Sequence, residues 1–194
     1  MSTSKSVLTD KKLVILDRDG VINEDSDDYI KSPSEWRPIE GSLQAIARLN
    51  RAGFRVYVAT NQSGLSRGLF TIETLHEIHR KMLDELQHLG GSVEAILFCP
   101  HGPDHHCDCR KPKPGLYLDI ARRNNISLEG IPVIGDSFRD IEAAWAVNAR
   151  PILVRTGKGA KTEAANAKAL REVEIHDDLE SAADQLIKEY GSSV

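Results

Sequence analysis

The 194-residue chain has few aromatic side chains: two Trp, four Tyr and four Phe, together 5% of its residues. With so few rings, and none interleaved with basic residues, it lacks the stacking surface of a single-strand nucleic-acid binder. Positive charge is also scarce. Lys and Arg number 25 against 29 Asp and Glu, a formal charge of −4, so bulk charge supplies no attraction for a polyanion. The longest apolar runs are about four or five residues, far short of the roughly 20 that a membrane-spanning helix needs. Residues 1–12 are rich in Ser, Thr and Lys and have no apolar segment of the secretory kind; they read as a flexible tail on a cytoplasmic protein. Cysteine is rare as well. The three present, Cys99, Cys107 and Cys109, fall in one short window with His101, His105 and His106. An odd, clustered set does not suit a secreted disulfide scaffold; a reduced compartment and a metal loop suit it better.

What is present is an alternation of strand-length apolar stretches with helical periods. Leu13 to Leu16 is continuously apolar, as in a strand buried on both faces. Further strands are expected at 55–59, 93–98, 131–134, 151–154 and 173–175. Leu43, Ile46, Ala47 and Leu49 mark a helix closed by Gly53. Leu75, Ile78, Met82, Leu86 and Leu89 mark another, beginning after Thr71 and stopping at Gly90-Gly91. Pro114 is expected as the first residue of a third helix reaching about Asn125. A fourth covers 141–147, a weak one follows Gly157 and Gly159, and a last starts near Leu179. The pattern calls for an α/β fold, a doubly wound and mostly parallel sheet with helices on both faces. It forms one domain over 13–194, with no large cap domain. Ligands of such sheets bind beyond the carboxyl ends of the strands. The polar residues standing there are Asp17 and Asp19, Thr60 and Asn61, Cys99, and Asp136.

Asp17-Arg18-Asp19-Gly20 alone could be a turn, since Asp and Gly favour turns. Its companions are more informative: Thr60-Asn61 after the second strand, Lys111 after the third, and Gly135-Asp136 with Asp140 after the fourth. In this order and spacing, over roughly 13–157, they resemble the haloacid dehalogenase-like phosphatase superfamily, whose fold is Rossmann-like. The resemblance implies a Mg2+-dependent phosphatase working through an aspartyl phosphate. Asp17 would be the nucleophile and a Mg2+ ligand; the backbone carbonyl of Asp19 and the side chain of Asp136 would be further ligands. The Asp19 carboxyl would act as general acid and then base. Thr60 and Lys111 would hold the transferring phosphoryl oxygens. Asp140 matches the second acid of the last motif, with direct ligation and a helix N-terminal charge as alternative readings. Arg139 is expected at the surface. The chemistry accounts for the residue types, because a phosphate dianion repels an anionic nucleophile until a hard cation held by oxygens offsets the charge.

The cysteine window offers three thiolates and an imidazole, a closed tetrahedral set of the kind that binds structural Zn2+. By residue type, His101, His105 and His106 compete for the fourth place. Cys-Pro-His followed by Cys-Asp-Cys-Arg-Lys-Pro resembles two branches of the superfamily that carry this zinc loop, the heptose bisphosphate phosphatases and the histidinol-phosphate phosphatases. It selects Cys99, His101, Cys107 and Cys109 as ligands, in a loop over 99–109. The strings Thr60 to Gly68 (TNQSGLSRG) and Val154 to Gly159 (VRTGKG) favour the heptose branch. That branch removes the C7 phosphate of D-glycero-D-manno-heptose 1,7-bisphosphate on the route to nucleotide-activated heptose and lipopolysaccharide. By the same resemblance Arg110 would meet a sugar hydroxyl or the remote phosphate. Asp25, Ser26, Asp27 and Asp28, in a short flap, would meet sugar hydroxyls, while Asn61, Gln62 and Ser63 would extend the phosphate contacts. Ser137 would also touch substrate, though some members carry lysine there. The implied partner is a small sugar bisphosphate met by a monomer, without nucleic acid or membrane. Three rivals stand beside this reading: a histidinol-phosphate phosphatase; a phosphorelay receiver that would hold an aspartyl phosphate without hydrolysing esters; and a zinc-dependent nucleic-acid module, disfavoured by the charge of −4 and the lack of interleaved aromatics.

Overall fold

The computed structural model describes residues 12–191; the tail expected over 1–12 lies, apart from Lys12, outside the described residues. Strands β1 (Leu13–Leu16), β2 (Arg55–Asn61), β3 (Ala95–Cys99), β4 (Pro132–Gly135), β5 (Arg150–Val154) and β6 (Glu174–His176) form one sheet. Its order is β3-β2-β1-β4-β5-β6, and every neighbouring pair is parallel. The helices are α1 (Ser42–Arg51), α2 (Ile72–His88), α3 (Gly115–Asn124), α4 (Phe138–Trp145), α5 (Gly159–Asn166) and α6 (Leu179–Gly191). Among the described residues no helix is long and apolar enough to cross a membrane.

The continuous apolar run of β1 follows from its central place. Successive side chains point to opposite faces, so Val14 and Leu16 join one core with Ile46 of α1, Ile78 and Met82 of α2, and Ala182 and Leu186 of α6. Leu13 and Ile15 join the other, with Leu116, Tyr117 and Ile120 of α3 and Ala143 and Ala144 of α4. Each such Leu or Ile contributes roughly 1.5–3 kcal/mol by leaving water, which fixes β1 and hence the position of Asp17 at its end. The segment between β1 and α1 forms a flap with no strand or helix of its own. Trp36 roots it in the core, and Lys81 of α2 grips it by donating to the Pro33 and Trp36 carbonyls, both at 2.9 Å.

Several boundaries differ from the sequence expectation, four of them with a structural consequence. The third strand begins at Ala95, not 93, because Val93 packs against the core without joining the ladder. Pro114 sits one residue before α3 as its cap, with φ −86° and ψ 10°. Leu89 continues the apolar spacing of α2 yet is 40% exposed, since the helix has already ended at His88. Strand β2 is longer than expected and carries Thr60 and Asn61 within it, paired with Phe98 and Cys99. That register sets the start of the cysteine loop beside the residues expected to hold phosphate.

Candidate active site

Asp17 leaves β1 with its N–H donating to the Ile134 carbonyl at 2.9 Å, which joins the ends of β1 and β4. Its Oδ1 accepts from the Arg18 N–H at 2.7 Å and faces Lys111 Nζ at 3.0 Å; Oδ2 has no donor among the described residues. Burial, with the nearby Asp140 and Asp19 charges adding to it against the pull of Lys111, lifts the Asp17 carboxyl to about 7. Lys111 is itself buried. Its three N–H groups go to Asp17, to Asp140 Oδ1 at 2.6 Å and to the Ala59 carbonyl at 2.8 Å. Burial alone would lower its pKa, but Asp140 and Asp17 raise it, so the ammonium stays charged.

Asn61 aims this lysine. Its amide exchanges two hydrogen bonds with the Lys111 backbone, donating to the carbonyl and accepting from the N–H, both at 3.1 Å. Thr60 Oγ1 accepts from Gln62 Nε2 at 2.9 Å, which leaves the hydroxyl hydrogen free to donate into the cavity.

Asp19 is held from several sides. Arg18, 1% exposed, forks onto it at 2.9–3.1 Å, while Asn23 at 2.9 Å and Gln62 at 2.8 Å also donate to it. Burial would raise the Asp19 carboxyl, but the Arg18 charge and these donors bring it below its ordinary value, so it rests ionised. His79 of α2 lies 3.1 Å from Arg18 Nη1. Burial and the Arg18 charge push the imidazole down to about 3, so it is neutral and accepts that hydrogen bond.

Asp136 ends β4. Its Oδ2 accepts from the Lys158 N–H at 2.8 Å, and burial followed by the Asp140 and Asp17 charges lifts its carboxyl to about 8. The backbone closes tightly around it: a Cβ at Gly157 (φ +57°) would stand 2.3 Å from Asp136 Oδ2 and 2.4 Å from Gly20 Cα. Oxygens of Asp17, Asp136 and Asp140 all lie within 4.8 Å of one another. Asp17 and Asp136, whose carboxyls are raised by burial, stand with Asp140 beside backbone stripped of side chains and form a hard-oxygen set that fits Mg2+. Asp140 lies within reach of the cluster, but its Oδ1 meets Lys111 and its Oδ2 accepts from the Ser137 N–H at 3.0 Å and Oγ at 2.6 Å.

Cys99, His101, Cys107 and Cys109 also converge. Five of the six pairs of their sulfur and Nδ1 atoms stand 3.1–3.7 Å apart, and one ligand atom of each lies within 4.8 Å of the others. This spacing suits four donors around one tetrahedral Zn2+. His105 and His106 are exposed and stand outside the cluster. Burial, with hydrogen bonding to Cys109, pushes the Cys99 thiol well up. Arg110, leaving this loop, donates from Nη1 to the His101 carbonyl at 3.1 Å.

A cavity of about 200 Å³ brings together Asp17, Asp19, Thr60, Lys111 and Asp136, with Asn61, Gln62, Ser63, Arg110 and Ser137 and, from the flap, Asp25, Ser26 and Asp27. Asp28 does not line it; it is exposed and faces a separate cleft, its N–H donating to Ser26 Oγ at 3.1 Å. Sequence reasoning passed over Tyr29, Lys158 and Arg139 as cavity residues. Arg139 is exposed as expected, but on the cavity's lip. Lys158 bridges to the flap, with Nζ 2.8 Å from Asp25 and 3.5 Å from Asp27; the sequence marked it only as part of the string Val154 to Gly159, without a role.

A family model described as HAD-hydrolase-like matches residues 108–182, and one described as polynucleotide kinase 3 phosphatase matches residues 12–138. The chain is 54% identical over 178 residues to the D-glycero-beta-D-manno-heptose-1,7-bisphosphate 7-phosphatase of Bordetella bronchiseptica, covering 92% of this chain and 99% of that one. It belongs to this phosphatase family. It is accordingly a phosphoric monoester hydrolase of the haloacid dehalogenase-like fold. The phosphatase of the same name from Pseudomonas putida is 53% identical over 91% of this chain and 99% of the relative. Among solved structures, the B. bronchiseptica D,D-heptose 1,7-bisphosphate phosphatase complexed with magnesium and phosphate matches with a TM-score of 0.89 at 54% identity, over 92% of this chain and 99% of that one. The Burkholderia thailandensis enzyme matches at 0.71 and 44% identity, over 91% and 99%.

Proposed function

We propose that this phosphatase removes the C7 phosphate of D-glycero-β-D-manno-heptose 1,7-bisphosphate, on the route to nucleotide-activated heptose and lipopolysaccharide. The observation that carries the reading is the convergence of Asp17, Asp19, Thr60, Lys111 and Asp136 in one cavity of a chain 54% identical to a phosphatase named for that substrate. Asp17 and Asp136 would hold Mg2+, with the Asp19 carbonyl and with Asp140 close by, and the bound ion would supply the charge that lets an anionic phosphate approach. Cys99, His101, Cys107 and Cys109 would hold a structural Zn2+ that sets the course of the loop to Arg110 and Lys111.

Asp17 Oδ2, the oxygen without a donor among the described residues, attacks phosphorus as the bond from phosphorus to the C7 oxygen breaks. Thr60 Oγ1 and Lys111 Nζ donate to the equatorial oxygens; for this Lys111 gives up its contact with Asp17 Oδ1 and keeps Asp140 and the Ala59 carbonyl. Asp19 gives a proton to the leaving oxygen. The approaching dianion raises the Asp19 carboxyl and so opposes the Arg18 fork that keeps it ionised. As a carboxylate again, it takes a proton from water. The resulting hydroxide attacks phosphorus, the bond to Asp17 breaks, and inorganic phosphate leaves. Arg110 and the flap residues Asp25, Ser26 and Asp27 face the sugar.

Phosphate release with Mg2+ on both anomers of the bisphosphate and on histidinol phosphate tests the assignment. The β-bisphosphate is expected to exceed histidinol phosphate in kcat/KM by more than about tenfold; the reverse preference would overturn it.

A further inference from the structure

Lys111, Lys158, Arg110 and Arg139 line the catalytic cavity, and their charges are not equally available. Lys111 faces Asp17 and Asp140, and Lys158 faces Asp25 and Asp27. Among the described residues, no Asp or Glu oxygen lies within 4.0 Å of either guanidinium. Among the described residues Arg110 donates to a neutral carbonyl, that of His101, which fixes its direction and leaves its charge intact. Arg139 extends from the first turn of α4, whose start is held by the hydrogen bonds between Ser137 and Asp140.

The same two arginines mark a passage. A second cleft of about 320 Å³ runs beneath the cysteine loop past His106 and Lys113, and the residues it shares with the catalytic cavity are Arg110, Lys111 and Arg139. The two spaces therefore meet at a sill bearing two uncommitted guanidinium groups. On the flap side, the cavity presents Asp25 and Asp27, whose cation is already engaged. An anion on the substrate is drawn to the sill and away from the flap.

We infer that Arg110 and Arg139 together form a second anion subsite on this sill, which takes the phosphate that is not hydrolysed and makes Arg139 a specificity-determining residue. The inference rests on the bisphosphate reading above. It assigns recognition to two charges held on separate elements, the exit of the cysteine loop and the start of α4, so an anion subsite apart from Asp17 and Thr60 favours substrates carrying a second phosphate. Arg139 touches no reacting atom and contributes only through binding.

Steady-state kinetics of the wild type, Arg139→Ala and Arg139→Lys on heptose 1,7-bisphosphate and on heptose 7-phosphate, which lacks the remote phosphate, provides the test. Arg139→Ala is expected to raise KM for the bisphosphate about tenfold or more, since a charge-assisted contact is lost. Its kcat on the bisphosphate and its kcat/KM on the monophosphate should match the wild type, and Arg139→Lys should recover part of the loss. Equal effects on both substrates, or none on either, would overturn the subsite. Inhibition by inorganic phosphate separates the sources of the anion: Arg139→Ala should leave it unchanged, and relief of that inhibition with an unaltered ratio between the two substrates would also overturn the proposal. A wild type inactive on the bisphosphate would remove the underlying substrate reading, a result seen before any variant is compared.

Discussion

The two clusters of metal-capable side chains are built on opposite plans. Cys99, the last residue of β3, and His101, Cys107 and Cys109 of the loop that follows it are close in sequence, offer mostly soft donors, and leave no position open among the four. Asp17 and Asp136 directly follow β1 and β4, and Asp140 stands in the first turn of α4; they offer hard oxygens, and one side faces a cavity. The first arrangement can be drawn together locally by a metal ion; the second depends on the sheet for its geometry. A closed set fixes a loop and an open set can meet a substrate, so loss of one should harm shape and loss of the other should harm chemistry.

The largest effect should come from the open cluster. Asp17→Asn is expected to lower kcat by more than about a thousandfold, since it removes the attacking oxygen. Its denaturant midpoint should equal or exceed that of the wild type, because a buried carboxylate crowded by Asp140 and Asp19 is relieved. An Asn variant that turns over at near wild-type rate, or that unfolds, would break the contrast. Next comes the closed cluster: Cys109→Ser should reduce bound zinc from about one per chain and lower the Tm. Because the loop leads to Arg110 and Lys111, kcat/KM should fall by about tenfold to a hundredfold. Full activity in a stable, zinc-free variant would contradict the structural role.

The smallest effect concerns pH. The folded Asp19 carboxyl lies below its ordinary 3.8, so its pairing with Arg18 stabilises the fold above that value, and the contribution is lost as pH falls through the folded pKa. Urea midpoints should therefore decline more steeply for wild type than for Asp19→Asn over the acidic range below the ordinary carboxylate value. Parallel declines would mean that the Arg18 fork does not hold Asp19 ionised.

The two plans were also unequally legible in the sequence. The cysteine loop could be read whole because its donors are near neighbours, and only the choice of imidazole needed outside help. Asp17 and Asp136 were legible because each follows a short apolar run that had to be a strand. What escaped depends on distant packing. The contact between Arg18 and His79 joins β1's end to α2, and the bridge from Lys158 to Asp25 joins the loop after β5 to the flap. Neither leaves a local pattern. Arg139 looked like any exposed helical arginine until the cavity's outline placed it on the lip, and Asp28 looked equivalent to its neighbours until the turn at Ser26 faced it outward.

Metal add-back to the wild-type protein tests the division of labour most directly. After dialysis against a chelator weak enough to leave the thiolate-bound zinc, the protein should contain about one zinc per chain by the four-ligand argument, keep its Tm, and hydrolyse nothing. Mg2+ alone should then restore full turnover. Recovery that requires added zinc while Mg2+ has no effect would contradict the account.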